Sequence, residues 1–292
     1  MDRIWLRSYQ EGVPADIDAG EFSSLGEMFQ ASVVRYRGKV AFTNMGRSLS
    51  YGQLDELSAR FAACLQSALQ LPKGARIALM MPNLLQYPVC LLGALRGGYT
   101  VVNCNPLYTA RELEHQLRDS GAEAIVILDN FAHVLQQVLP QTAIRHVLVT
   151  RMGDMLGFPK GLVVDLIVRH VKKMIPPWEI PEAIYLRAAL AEGERLEPVS
   201  VPVMRDDLAF LQYTGGTTGV SKGAMLTHGN VLANIAQAHA WIRPALREGE
   251  ETVVTALPLY HIFALTANCF TFLRMGASNV LITNPRDIAA FV

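Results

Sequence analysis

The chain has 292 residues, enough for one large or two ordinary domains with proper cores. Its 51% hydrophobic and 18% charged content excludes a disordered protein. Lys+Arg and Asp+Glu each number 26, so the net charge is zero and no global basic field exists to hold nucleic acid; charge-driven contacts must come from local patches.

The opening run, Met1-Asp-Arg-Ile-Trp-Leu-Arg7, lacks the apolar core of a signal peptide. Cys64, Cys90, Cys104 and Cys269 stand singly in apolar surroundings, without Cys-x-x-Cys or Cys/His spacing. Buried, reduced thiols and a cytoplasmic location are expected. Ser50 and Gln53 form the capping box of a helix whose apolar positions are Leu54, Leu57, Phe61 and Leu65. Arg76–Met81 is a continuous apolar strand, Asn83–Leu95 a buried helix ended by Gly97-Gly98, and Tyr99–Asn103 the next strand. A second capping box, Thr109 with Glu112, opens a helix that Gly121 closes. Ala124–Leu128 and His146–Thr150 are strands on either side of a helix at Phe131–Leu139. Strands without polar alternation, separated by helices, predict an α/β fold with a parallel sheet covered on both faces.

Residues 152–205 interrupt that rhythm, with Pro159, Pro176, Pro177, Pro181, Pro198 and Pro202 marking turns. Within them Leu162–Ile175 predicts a helix with Val163, Leu166, Ile167, Val171 and Met174 on one face and Lys160, Arg169, Lys172 and Lys173 adding basic character. It is either a helix docked on the core with solvated lysines or one lying on an anionic membrane surface.

Tyr213-Thr-Gly-Gly-Thr-Thr-Gly-Val-Ser-Lys-Gly223 follows a predicted buried strand, Asp207–Gln212, and precedes another, Gly223–Thr227. Gly215, Gly216, Gly219 and Gly223 let backbone N–H groups turn inward as an anion nest, Thr214, Thr217, Thr218 and Ser221 add hydroxyl donors, and Lys222 adds a full positive charge. A plain glycine-rich surface turn would need neither the lysine nor the threonines. A Walker loop needs Gly-Lys followed directly by Ser or Thr, whereas here Ser221 precedes Lys222 and Gly223 follows it. Farther on, His228–Ala240 predicts a helix. No residue from Thr252 to Leu273 carries a fixed charge, but Pro258, His261, Thr266 and Asn268 make a membrane span costly. A buried strand, a loop ending in Pro258-Leu-Tyr-His261 and a buried helix are expected instead, followed by a strand at Asn279–Thr283.

The glycine-rich loop, extended through Ala224-Met-Leu-Thr-His228-Gly-Asn230, resembles the ATP signature of the adenylate-forming superfamily. Val101–Leu117, Ala256–Leu265 and Leu281-Ile-Thr-Asn-Pro-Arg-Asp287 look like the bacterial long-chain fatty acid CoA ligases, so the resemblance covers almost the full chain. It implies the N-terminal domain of that family. A first α/β subdomain is expected at 1–205, with the basic amphipathic insert at about 152–205, and the start of a second at 206–292. Implied substrates are a long-chain fatty acid, ATP and coenzyme A, with Mg²⁺ as cofactor. Implied ATP-binding residues are Tyr213, Thr214, Gly215, Gly216, Thr217, Thr218, Gly219, Val220, Ser221, Lys222 and Gly223. Thr214 would also hold the metal, Lys222 and His261 would be catalytic, and Tyr260, His261 and Phe263 would line the acyl pocket. The other reading of His261 is a core histidine bonded to a nearby carbonyl. His228 is expected to support the loop, and His115, His133, His146, His170 and His239 carry no expected role.

Family members run on for about as long again, so the resemblance implies an N-terminal portion that lacks the C-terminal domain and is inactive alone. The competing reading is a non-catalytic module that binds fatty acid or membrane. A synthetase for a medium-chain or aryl acid is the enzymatic alternative. Peripheral membrane contact and pairing with a second copy of the chain are further expectations.

Overall fold

The computed structural model describes residues 2–214 and 220–287. Its strands, in chain order, are β1 (Val40–Asn44), β2 (Arg47–Ser50), β3 (Arg76–Met80), β4 (Thr100–Asn103), β5 (Ala124–Leu128), β6 (His146–Thr150), β7 (Ile184–Tyr185), β8 (Leu208–Thr214), β9 (Lys222–Thr227), β10 (Thr252–Thr255) and β11 (Ser278–Leu281). The α-helices are α1 (Leu25–Tyr36), α2 (Tyr51–Ala63), α3 (Gln86–Arg96), α4 (Ala110–Ser120), α5 (Ala132–Val138), α6 (Lys160–Leu166), α7 (Leu186–Gly193), α8 (His228–Ile242) and α9 (Thr271–Arg274).

Seven strands form one sheet in the order β7-β6-β5-β3-β4-β8-β9, parallel throughout except for the β8–β9 hairpin. The apolar strands do what unbroken hydrophobic runs predict. Ile77 and Leu79 of β3 point into one core with Leu54, Val89 and Leu186, while Ala78 and Met80 point into the opposite core with Leu113, Leu117 and Leu135. Both faces are therefore covered, by α2, α3 and α7 on one side and α4 and α5 on the other. A second sheet, β10-β11-β1-β2, joins the parallel pairs β10–β11 and β11–β1 to a tight β1–β2 hairpin. The two residues of that turn, Met45 and Gly46, have φ of 48° and 71°, the left-handed geometry that matches strand twist in a two-residue loop.

The sheets do not divide at residue 205. The first takes β8 and β9 from beyond it, and the second pairs β1 and β2 with β10 and β11. Both predicted capping boxes form, at Ser50/Gln53 and Thr109/Glu112, and Gly121 closes α4 in the left-handed region with φ of 60°. A third box, between Thr227 and Asn230, starts α8.

Several expectations need correction. β9 and β10 are not buried strands: among the described residues each lies at a sheet edge, where no further strand covers it, and Met225 and Val254 are exposed. The helix expected from Asn83 begins only at Gln86, because the Asn83 side chain is spent on the backbone of Thr255, Leu257 and Leu259. The uncharged stretch from Thr252 divides as expected into a strand, a turn and a helical segment, Ala264–Phe270 with π-helical hydrogen bonding running into α9. Among the described residues no helix is long and apolar enough to cross a membrane. The helix expected over Leu162–Ile175 runs instead from Lys160 through Val171, as α6 and a π-helical continuation, Ile167–Val171; Lys173 takes a left-handed φ of 50° beyond its end, and the helix's apolar face is not docked on the core.

Candidate functional site

The parallel strands deliver their C-terminal ends to one rim of the large sheet, and β8 is the strand whose end bears the glycine-rich loop. β8 and β9 are in register with Thr214 opposite Lys222 and Tyr213 opposite Gly223, so the hairpin clamps the loop at both ends. Gly215, Gly216, Thr217, Thr218 and Gly219 lie outside the described residues. Thr214 and Lys222 are exposed at the two ends of the clamp, and among the described residues no acid pairs with the Lys222 ammonium. Val220 is exposed and Ser221 half-buried.

Tyr213 faces inward. Its ring lies over Gly223, where a Cβ would come within 2.9 Å of ring carbon Cε2, so glycine is required there for close strand packing. The phenol donates to Asp119 Oδ2 at 2.5 Å. Burial, and then the Asp119 carboxylate, push the Tyr213 pKa well up, which keeps the hydroxyl a donor. His115, one turn earlier on α4, has Nε2 2.9 Å from the carbonyl oxygen of Ser221, so as the Nε2–H tautomer it donates to the loop backbone. Helix α4 thus buttresses the hairpin from both sides of the loop, through two residues that sequence reasoning left without a role. Only the side-chain chemistry of His115 and Asp119, four apart on one helix face, could have hinted at it.

The second part of the site is the turn at Pro258–His261, closed by a hydrogen bond from the His261 N–H to the Pro258 carbonyl. His261 is exposed and its Nδ1 accepts from the Phe263 N–H at 3.3 Å; it is not a core histidine. Tyr260 is half-buried, and burial raises its pKa. Phe263 is exposed, whereas Ala264 and Leu265 are spent on the core.

A buried polar network joins the two parts. Gln212 on β8 donates from Nε2 to the Tyr260 carbonyl at 3.1 Å and accepts through Oε1 from Asn103 Nδ2 at 3.1 Å. Tyr87 places its hydroxyl 2.7 Å from Asn103 Oδ1 and 2.9 Å from the Leu259 carbonyl, with one proton shared between them. Asn83 completes the cage: its Oδ1 accepts from the Leu259 N–H at 2.8 Å, and its Nδ2 donates to the carbonyls of Thr255 and Leu257. Removing any one of these amides would leave buried partners unsatisfied, so the turn is fixed relative to β8, the strand that bears the glycine-rich loop. Asn103 and Gln212 are amides at the ends of otherwise apolar strands, and that is the sequence signal by which they could have been found.

His228 holds a different joint. It opens α8, is buried, and its Nδ1 accepts from the Leu25 N–H at 3.1 Å, pinning the start of α1. Burial lowers its pKa to about 4, so the ring stays neutral and able to accept.

These donors suit an anionic ligand: an ammonium that no acid among the described residues pairs with and an exposed hydroxyl flank the loop, and the nearby Asp119 is occupied by Tyr213. Among the described residues no group of three or more His, Cys, Asp or Glu could cage a metal ion. The Thr214 hydroxyl is a single neutral ligand, which fits Mg²⁺ only as an ion held mainly by phosphate oxygens and water.

A family model described as AMP-binding enzyme matches residues 29–292. The long-chain-fatty-acid–CoA ligase of Escherichia coli O6:H1 is 56% identical over 292 residues, which cover 100% of this chain and 52% of that protein. The long-chain-fatty-acid–CoA ligase of Haemophilus influenzae is 49% identical, again over 100% of this chain and 52% of its own length. The chain spans about half the length of the curated relatives it matches. Among solved structures, a long-chain-fatty-acid–CoA ligase from Archaeoglobus fulgidus superposes with a TM-score of 0.72 at 25% identity, covering 94% of this chain and 50% of that one. An anthranilate CoA ligase in complex with anthranoyl-AMP shares the fold, with a TM-score of 0.75 at 17% identity over 92% of this chain and 47% of that one. With the family model running from α1 through the clamped loop to the last residue, the chain belongs to the AMP-binding enzyme family.

Proposed function

We propose that this chain carries the phosphate-handling part of a synthetase that activates long-chain fatty acids. The observation that carries the reading is the clamped loop: a hairpin with a lysine at its exit that no acid among the described residues pairs with, wired through Gln212 to the turn bearing Tyr260 and His261. The relatives' shared name, long-chain-fatty-acid–CoA ligase, supports the choice of acid.

In the proposed reaction a carboxylate oxygen attacks the α-phosphorus of ATP and pyrophosphate leaves. The thiol of coenzyme A then attacks the acyl carbonyl, and AMP leaves. Lys222 neutralises charge on the phosphate oxygens while the pentacoordinate phosphorus forms, a preorganised electrostatic role. Tyr213, Asp119 and His115 hold the loop backbone so that little reorganisation accompanies that charge. Tyr260 and His261 orient the carboxylate end of the acid, positioned by the Asn83–Tyr87–Asn103–Gln212 network. Mg²⁺, when bound at Thr214, supplies further neutralisation of the triphosphate. The exposed Phe263 ring, beside the partly buried Ile262, suits an alkyl chain.

The test is acid-dependent exchange of labelled pyrophosphate into ATP with Mg²⁺, run on the 292-residue chain and on a version extended to its relatives' length. Exchange in the extended protein with a sixteen-carbon acid, and much less with an aryl acid, is the expected result. Exchange with aryl acids alone would redirect the substrate. No exchange from a folded extended protein would replace the enzymatic reading by a binding module.

A further inference from the structure

The helix from Lys160 through Val171 is built inside out. Its inward face is small and polar. Gly161 and Gly153 meet backbone to backbone: a Cβ on Gly161 would lie 2.3 Å from the Gly153 carbonyl oxygen, and one on Gly153 would lie 2.1 Å from that of Gly161. One turn on, Asp165 Oδ1 accepts from the Gly153 N–H at 2.7 Å. After another turn Val168 is buried, and Arg169 reaches to 3.7 Å from the buried Asp129 carboxylate. Asn130 Nδ2 donates to the Met174 carbonyl at 3.0 Å, tying down the end of the segment.

The outward face carries the apolar side chains. Phe158 is 90% exposed, Val171 74%, Leu162 55%, and Leu166, Ile167 and Met174 are exposed beside them. A contiguous apolar stripe of this kind on a soluble surface marks an interaction site. Its charge identifies the partner. Between 158 and 175 the sequence has four basic residues, Lys160, Arg169, Lys172 and Lys173, against one acid, Asp165, on a chain whose total charge is zero. Lys172 and Lys173 are exposed and, among the described residues, unpaired with any acid. An apolar stripe edged by unpaired lysines is complementary to a surface that is greasy below and anionic above. A second copy of the chain is a poor match, because a two-fold contact through this face would bring both lysine pairs together.

We propose that residues 158–174 form the docking surface by which this chain lies on an anionic lipid bilayer, with the helix in the plane of the headgroups. Twelve residues of helix, Lys160–Val171, reach only about 18 Å and cannot cross the hydrocarbon core. The placement stands on this surface alone and holds whichever acid the chain activates.

The experiment is flotation of the 292-residue chain with vesicles of phosphatidylcholine alone and of phosphatidylcholine with about one third phosphatidylglycerol. Two variants probe the patch, Leu166→Gln with Ile167→Gln and Lys172→Glu with Lys173→Glu. Met225→Gln, on the exposed edge strand β9, controls for non-specific greasiness. All the altered side chains are exposed, so circular dichroism spectra and melting midpoints should stay unchanged. The expected result is binding to the anionic vesicles that falls at least tenfold in both patch variants and not in Met225→Gln. Equal binding by the patch variants, a loss in Met225→Gln of the same size, or no binding by the native chain would overturn the proposal. So would a dimer in sizing experiments that the patch variants abolish while lipid binding is absent.

Discussion

Helix α4 and the helix beginning at Lys160 each carry an apolar stripe, and they turn it in opposite directions. On α4, Leu113 and Leu117 enter the core beneath the large sheet, with Gln116 and Ser120 buried beside them, while the charged residues face water. On the second helix Gly161, Asp165 and Val168 face inward, and the leucines, isoleucine and valine around them face out. Hydrophobic periodicity reveals that a stripe exists but not where it points. Direction is set by what the other face can do: glycine permits backbone contact, and a carboxylate can cap a loop N–H, so a polar face can dock as well as an apolar one.

The sharpest way to break this comparison is at the glycine contact. Gly161→Val places side-chain atoms inside the Gly153 backbone and should cost about 3 kcal/mol or more. Limited proteolysis should then cut between Pro159 and Pro176 while α4 stays protected; a variant as stable and as resistant as the native chain would remove the contact from the account. The same change of size on the two stripes should separate them next. Leu113→Ala should cost about 2–4 kcal/mol by creating a cavity. Leu166→Ala should cost less than about 0.5 kcal/mol in the same urea titration, since its side chain already faces solvent. Equal losses would mean that both stripes are buried in solution.

A smaller effect tests the inward polar face. Burial raises the pKa of Asp129 from 3.8 to about 6, with Arg169 partly opposing the shift. The fold prefers the protonated acid, so this group's stabilising contribution is complete below pH 3.8 and disappears as pH rises through about 6. Asp129→Asn should therefore be more stable than the native chain at pH 8, by roughly 1–3 kcal/mol, and no more stable below pH 4. Melting curves across that range check it, and a pH-independent difference would show that the carboxylate's ionisation is not the cause.

Much of the fold was legible because its signals are local. Capping boxes at Ser50 and Thr109, the left-handed glycine at position 121 and unbroken apolar strands such as Ala124–Leu128 need no knowledge of distant partners. Edge position is not local. Gly223–Thr227 and the strand from Thr252 read as buried because their composition is apolar, and only the sheet order leaves them uncovered among the described residues. The site divides in the same way. Its glycine-rich loop and the Tyr260-His261 pair stand out in sequence, whereas His115, Asp119 and the amides that lock Tyr260 to β8 join the candidate site only when segments about 50 to 180 residues apart meet.

The most direct measurement is fatty-acid-dependent pyrophosphate exchange by Lys222→Ala in the protein extended to its relatives' length, beside the unaltered protein. Loss of a preorganised cation at the phosphates should lower the maximal exchange rate by about 100-fold or more while the fatty acid concentration at half-maximum changes little. An exchange rate within about twofold of the unaltered protein would contradict the assignment of this lysine, and with it the clamped loop as the phosphate site.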